Sequence, residues 1–376
     1  MKVSPEILGM TPYKPGKPIS ETQREYGLKT VYKLASNENP LGPSPKALAA
    51  VRNVLDRQHL YPDPSAYDLL TTLSRVWSVP RERMSIGNGS DEIIDLLTRI
   101  YCEAHEGVLT SKVGFQAYAV SSAANRLRLI ETPLTADWRF DLKAMADHFL
   151  SRPEDKIRLI FVANPNNPTG TYNTRAELDE FFRRLGGRDD VLLVFDEAYT
   201  EFVRADDYAS AMEYIDRVPN LVVLRTFSKT YGLAGFRVGT IIAPKEVIDI
   251  YNRVRKPFNV NDLAQVAAAA AVEDTEFIEK TRRLTWEGLD YFAREFTRLG
   301  LKFLPSQGNF ILFDTERDAL KVYEALLKRG LILRPVLNYG LPRHLRINAG
   351  LPEENAAAIK ALEEVLKEIP PLTASK

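Results

Sequence analysis

From Gly107 onward, short apolar runs alternate with stretches of helical period. GVLT (from Gly107), RLRLIET (126–132), IRLIFV (157–162), VLLVF (191–195) and LVVL (221–224) read as buried strands. Between them lie a helix carrying Phe115 and Tyr118, a second near Asp141 to Leu150, and a third opened by a Thr174–Glu177 capping box. Alternation of this kind predicts a mainly parallel sheet joined by right-handed crossovers. Ahead of it, residues 1–40 are rich in proline and polar residues, with Pro12, Pro15, Pro18 and Pro40, and predict an extended arm without its own core. Ser44 and Pro45 are the cap and first residue of a helix expected to end near His59, before Tyr61-Pro62-Asp63-Pro64. Helices are expected over Ala66–Trp77 and from Ser90 through Ile93, Ile94, Leu96, Leu97 and Ile100.

Beyond Pro244 the pattern changes. Helices over Lys245–Val254, Asp262–Val272 and Glu276–Arg298 precede a compact run of NFILF, a helix near Ala319–Lys328, LILRP, HLRIN and a last helix over Pro352–Lys367. The expected division is an arm (1–40) lying on the smaller unit and a partner subunit, a large α/β unit (41–256), and a smaller α/β unit (257–376) hinged near Lys256-Pro257.

Composition narrows the function. The 376 residues are 45% hydrophobic, enough for two cores, and carry 50 Lys+Arg against 50 Asp+Glu. Zero net charge argues against a nucleic-acid or anionic-membrane surface. The single Cys102 excludes an intramolecular disulfide and suits a reducing cytoplasm. The four histidines lack ligand spacing, so no metal is expected. No basic-then-apolar leader or membrane-length apolar run is present. A soluble, globular, cytoplasmic protein is the expectation.

The candidate chemistry sits at strand ends, where open α/β sheets bind ligands. VLLVF delivers Asp196, and LVVL leads through Arg225-Thr226-Phe227 to Ser228-Lys229 and on to GLAGFRVG with Arg237. A lysine against an apolar wall loses proton affinity and can attack a carbonyl, while a buried carboxylate needs a cation such as a protonated ring nitrogen. Ser228 and Arg237 would add a phosphate site, and the set fits pyridoxal 5′-phosphate. Gly87-Asn88-Gly89-Ser90 at a helix start offers backbone amides to an anion, although the same residues equally make an ordinary cap. Asn164-Pro165-Asn166-Asn167-Pro168 holds an amide rigidly at the same edge. Arg334 and Arg346, on neighbouring short strands, suit either solvated edge charges or a bidentate anion clamp.

GNGSDE, NPNNPTG, DEAY, TFSKTYGLAGFRVG and LRI, in that order, resemble the fold-type I pyridoxal-phosphate aminotransferases. TPY, SNENP and YPDP near the N-terminus narrow the resemblance to the histidinol-phosphate aminotransferases. It covers nearly the whole chain and implies a seven-stranded, mainly parallel sheet between helices, with a smaller C-terminal α/β domain. It further implies that Lys229 forms an imine with the cofactor and shuttles the proton, that Asp196 pairs with the ring nitrogen, and that Asn167 and Tyr199 bond its phenolic oxygen. The cofactor phosphate would fall to Ser228, Arg237, Gly89, Ser90 and Asp91, with Tyr61 arriving from the partner subunit of a homodimer. Phe115 would stack on the ring, although Val113 stands where the family usually has a proline. Arg346, Arg334, Tyr13 and Asn39 would bind the substrates, glutamate or 2-oxoglutarate and histidinol phosphate, Tyr13 reaching in from the partner. Related chemistry leaves three alternatives: an aromatic-amino-acid aminotransferase, a threonine-phosphate decarboxylase, and a non-catalytic sensor of the cofactor.

Overall fold

The computed structural model describes residues 3–10 and 16–372. Its first elements are α1 (Pro5–Leu8), α2 (Ile19–Tyr26), β1 (Tyr32–Lys33), α3 (Pro45–Arg52), α4 (Tyr67–Trp77), β2 (Met84–Gly87) and α5 (Ser90–Tyr101). There follow β3 (Gly107–Ser111), α6 (Gln116–Ala124), β4 (Arg128–Thr132), α7 (Leu142–Ser151), β5 (Ile157–Ala163) and α8 (Arg175–Leu185). Then come β6 (Leu192–Asp196), β7 (Leu221–Thr226), β8 (Gly239–Ile242), α9 (Lys245–Val254), α10 (Asp262–Val272) and α11 (Thr275–Arg298). The chain closes with β9 (Lys302–Phe303), β10 (Phe310–Asp314), α12 (Ala319–Leu327), β11 (Leu331–Ile332), β12 (Arg334–Pro335), β13 (His344–Asn348) and α13 (Pro352–Glu368).

The expected seven-stranded sheet is present, in the order β2-β8-β7-β6-β5-β3-β4. All its neighbours pair in parallel except β8, which runs against both β2 and β7. Strands β5 to β7 are almost wholly buried, which is why they read as unbroken apolar runs rather than alternating ones. Helix caps follow the sequence: Ser44 Oγ accepts from Ala47 N at the start of α3, and Thr174 with Glu177 forms a reciprocal box at the start of the crossover helix α8. The helix from Pro45 is shorter than expected, ending at Arg52 before a separate turn of 3-10 helix over Leu55–Arg57.

A second core lies in the C-terminal unit, where β12-β13-β10-β9 form an antiparallel sheet against α11, α12 and α13. Two boundaries differ from the expected division. Val260 and the alanines of α10 pack in the larger core, α10 lying on α3 and α4, so residues 257–272 go with the large unit. Ala264, Ala267, Ala268 and Ala271 let the three helices approach closely, a packing effect that helical periodicity does not reveal. At the other end, β1 pairs in parallel with β11, and Leu34 is buried in the second core. Part of the expected arm is therefore built into the smaller unit. Among the described residues no helix is long and apolar enough to cross a membrane.

Candidate active site

Because β5, β6 and β7 run in parallel, their last residues emerge along one edge. Asp196 ends β6, the 164–167 loop leaves β5, and Ser228 and Lys229 follow β7. A cavity of about 200 Å³ opens there. From the large unit it is lined by Ser90, Asp91, Phe115, Asn167, Asp196, Tyr199, Ser228, Lys229 and Arg237. Asn37, Arg334, Tyr339 and Arg346 close it from the other side.

Asp196 is 4% exposed and accepts from the Tyr118 hydroxyl at 3.1 Å and the Ala198 amide at 3.2 Å. Burial raises its pKa to about 6 despite those two donors. Among the described residues no Lys or Arg forms an ion pair with it. Such a carboxylate is suited to a ligand cation. Lys229 is lowered to about 8, first by burial and then by the Arg346 charge, and its Nζ lies 3.4 Å from Ser36 O. An amine of that basicity has a large neutral fraction near physiological pH and is a competent nucleophile.

The anion end is built from backbone. Gly89 caps α5 with φ +78°, and a Cβ on it would run into the Arg237 guanidinium. Arg237 also pairs with Asp91 at 3.4 Å, across an exposed and therefore weak bridge. Ser90 and Asp91 open α5 beside Ser228 and Arg237 in the cavity wall, an arrangement whose chemistry suits an anion.

Over the middle of the cavity Tyr199 Oη receives Asn37 Nδ2 at 2.8 Å and Asn167 Nδ2 at 3.4 Å. Arg346 donates to Asn167 Oδ1 and, at 2.7 Å, to Ala35 O. Burial holds the Tyr199 phenol at about 12, with Arg346 and the Asn37 amide pulling the other way. Arg334 and Arg346 are directly opposed across the β12–β13 pair, so both side chains project from one face. Like charges so placed repel, and an anion between them relieves the repulsion.

The sequence-expected residues are not all gathered. Asn39 lies outside the cavity wall, its amide bonded to Thr230 O at 3.0 Å and Thr281 Oγ1 at 3.1 Å, where it ties the loop to α11. Tyr61 is 82% exposed and stacks on Phe258 at 4.6 Å, away from the cavity of its own chain. Tyr13 lies outside the described residues. Phe115 lines the cavity edge-on to Tyr118, and Val113 before it sits at φ +57°, with its carbonyl accepting from Asn166 Nδ2 at 3.0 Å. Loop 113–115 thus uses a left-handed β-branched residue, a strained conformation. Sequence reasoning missed Asn37, Tyr118, Gln116 and Tyr339. Only Asn37 left a trace, as one of two asparagines in SNENP.

Residues 29–362 match the family model for aminotransferase class I and II. The chain belongs to that family. This aminotransferase is 66% identical, over 99% of its length and all of the relative's, to a protein of Bdellovibrio bacteriovorus named histidinol-phosphate aminotransferase. A protein of the same name from Anaeromyxobacter is 46% identical over 97% of this chain and 99% of its own. Among solved structures, the aminotransferase superposes with a TM-score of 0.87 on histidinol-phosphate aminotransferase from Sinorhizobium meliloti in complex with pyridoxal-5′-phosphate, at 28% identity and 98% coverage of both chains.

Proposed function

We propose that this chain transfers an amino group between L-histidinol phosphate and 2-oxoglutarate, giving imidazole acetol phosphate and L-glutamate, with pyridoxal 5′-phosphate as cofactor. The observation that carries the reading is the opposed pair Arg334 and Arg346 facing the same cavity as Lys229 and Asp196. One substrate brings a carboxylate and the other a phosphate, and paired guanidinia suit both.

The residues present fit the cofactor. Asp196 is a buried carboxylate without a protein cation among the described residues, and the Gly89 turn leaves a backbone cradle beside Arg237. Ser228, Arg237 and the amides of Ser90 and Asp91 would hold its phosphate. Asn167 and Tyr199 would hold its phenolic oxygen, and Phe115 would cover a ring face. When bound, the cofactor supplies an aldehyde that takes and returns the amino group, and a ring that spreads negative charge. Asp196 would pair with the ring nitrogen and favour its protonated form. Lys229 Nζ would hold the cofactor and, as a neutral amine, would carry the proton to and from the substrate Cα. Arg346 orients the substrate carboxylate so that Cα faces Lys229, and Arg334 adds a second guanidinium for the phosphate. Closing the smaller unit's residues over the cavity excludes water.

The enzyme acts in the cytoplasm as a homodimer in this reading. The exposed Leu55, Leu60, Tyr61, Tyr67 and Phe258, of which Tyr61 stacks on Phe258, support it as apolar surface suited to a second copy, with Tyr61 reaching the neighbour's cavity. The test compares histidinol phosphate with phenylalanine as amino donors to 2-oxoglutarate. A preference for histidinol phosphate is expected. A preference for phenylalanine, release of CO2, or cofactor binding without turnover would each replace this reading with another.

A further inference from the structure

We infer that Asn37 is a positioning residue, held by the smaller unit, that aims the Tyr199 hydroxyl into the cavity. The inference rests on the cofactor reading above and concerns a residue outside the contact set assigned there.

Asn37 is 1% exposed and has φ +56°, a left-handed conformation that asparagine tolerates better than other side chains. Its backbone is gripped on both sides by the smaller unit. The N–H donates to Asn348 Oδ1 at 3.1 Å, and the carbonyl accepts from Asn309 Nδ2 at 3.0 Å. Asn348 ends β13, two residues after Arg346, and Asn309 immediately precedes β10. So fixed, the side chain crosses to the large unit and donates to Tyr199 Oη at 2.8 Å.

The direction of that bond matters. Arg346 occupies Asn167 Oδ1, so Asn167 can present only its NH2 to the same phenol oxygen. With two amides donating to Oη, the phenol's own hydrogen must point elsewhere, and the remaining direction is the cavity. Asn37 therefore selects the donor orientation of Tyr199. It does so only while the smaller unit holds its backbone, which links closure of that unit to the hydroxyl. The charged and titratable groups beside Tyr199 are Arg346, Asp196, Lys229, Tyr118 and Tyr339, and replacing Asn37 removes none of them.

The test uses the full-length protein with pyridoxal phosphate and no substrate, reading the pH midpoint of the visible absorption band. A donor to the phenolic oxygen weakens that oxygen's hold on the proton at Lys229 Nζ, so losing the donor raises the midpoint. Asn37→Gly keeps the left-handed backbone and both main-chain bonds while deleting the amide. The expected result is an upward shift of roughly half a unit or more, with a several-fold fall in kcat and little change in KM. In a Tyr199→Phe background the same substitution should add nothing, because the group it aims is gone. Asn37→Ala should reproduce the shift, with an added loss of thermal stability from its backbone conformation. An unchanged midpoint, a shift that adds fully to that of Tyr199→Phe, or an Asn37→Gly protein that does not fold or take up the cofactor would overturn the inference. A wild-type protein showing no titrating band would instead overturn the cofactor reading itself.

Discussion

Replacing Asp196 by asparagine should stabilise the cofactor-free protein while weakening its hold on the cofactor. The carboxyl is buried, and its only local donors are a hydroxyl and an amide, so ionising it is costly. A rise from 3.8 to about 6 is about two units, which at about 1.36 kcal/mol each amounts to about 3 kcal/mol at neutral pH. The sign follows from the raised value. Below pH 3.8 the carboxyl is protonated in both folded and unfolded chains and costs nothing. Through the window up to about 6 the folded chain keeps its proton while the unfolded chain loses it, so stability falls, and above that window the cost is constant. Asparagine is neutral throughout, so the gap between variant and wild type should open between pH 4 and 6 and then stay level. Urea unfolding of both proteins, stripped of cofactor, at pH 4, 5, 6 and 7.5 measures it. Cofactor affinity, read by visible absorption at pH 7.5, should fall by at least about a hundredfold, since a buried cation then lacks its partner. A stability gap that does not change with pH, or a cofactor affinity that is unaffected, would refute the assignment of Asp196 as the ring's counter-charge.

Capture of an aldehyde by the cofactor-free protein should accelerate with pH through a midpoint near 8, because Lys229 reacts only when neutral and its pKa is lowered to that value; stopped-flow rates with a midpoint near that of an ordinary lysine would contradict it. Arg334→Gln should raise KM for histidinol phosphate more than for glutamate, whereas Arg346→Gln should raise both by roughly a hundredfold, as expected for lost charge-assisted bonds; steady-state kinetics separate the two. Gly232→Ala should lower stability by about 2 kcal/mol or more, since residue 232 sits at φ +70° and a Cβ there would overlap Gly42 O; a thermal scan showing no change would count against it.

The parallel sheet was legible because strands buried on both faces leave unbroken apolar runs, and the chemistry was legible because strand ends face ligands. Lys229, Asp196 and Arg237 could be expected to meet there, and they line one cavity. Asn37 and Asn39 could not be separated, since two asparagines two residues apart in one turn carry the same chemistry. Only the observed backbone shows that residue 37 turns inward while residue 39 turns to Thr230 and Thr281. Tyr118 read as one more aromatic on an apolar helix, and nothing in its spacing announced a bond to a residue 78 positions away. Tyr339 ends a single turn of 3-10 helix, too short to show a period. The side on which α10 packs was not legible for a related reason: an alanine-rich helix fits either core, and tertiary packing sets it in the larger one.

The pairing of β1 with β11, and the grip of Asn348 on Asn37 from 311 residues away, bear on how the molecule is made. During synthesis the segment around residue 37 leaves the ribosome early and must wait, unpaired, until nearly the whole chain has followed it. Nascent chains ending between Lys229 and β13 would carry Lys229 and Asp196 yet lack the strand that completes the pocket. Catalytic competence is thus withheld from partial products and conferred only on the finished polypeptide.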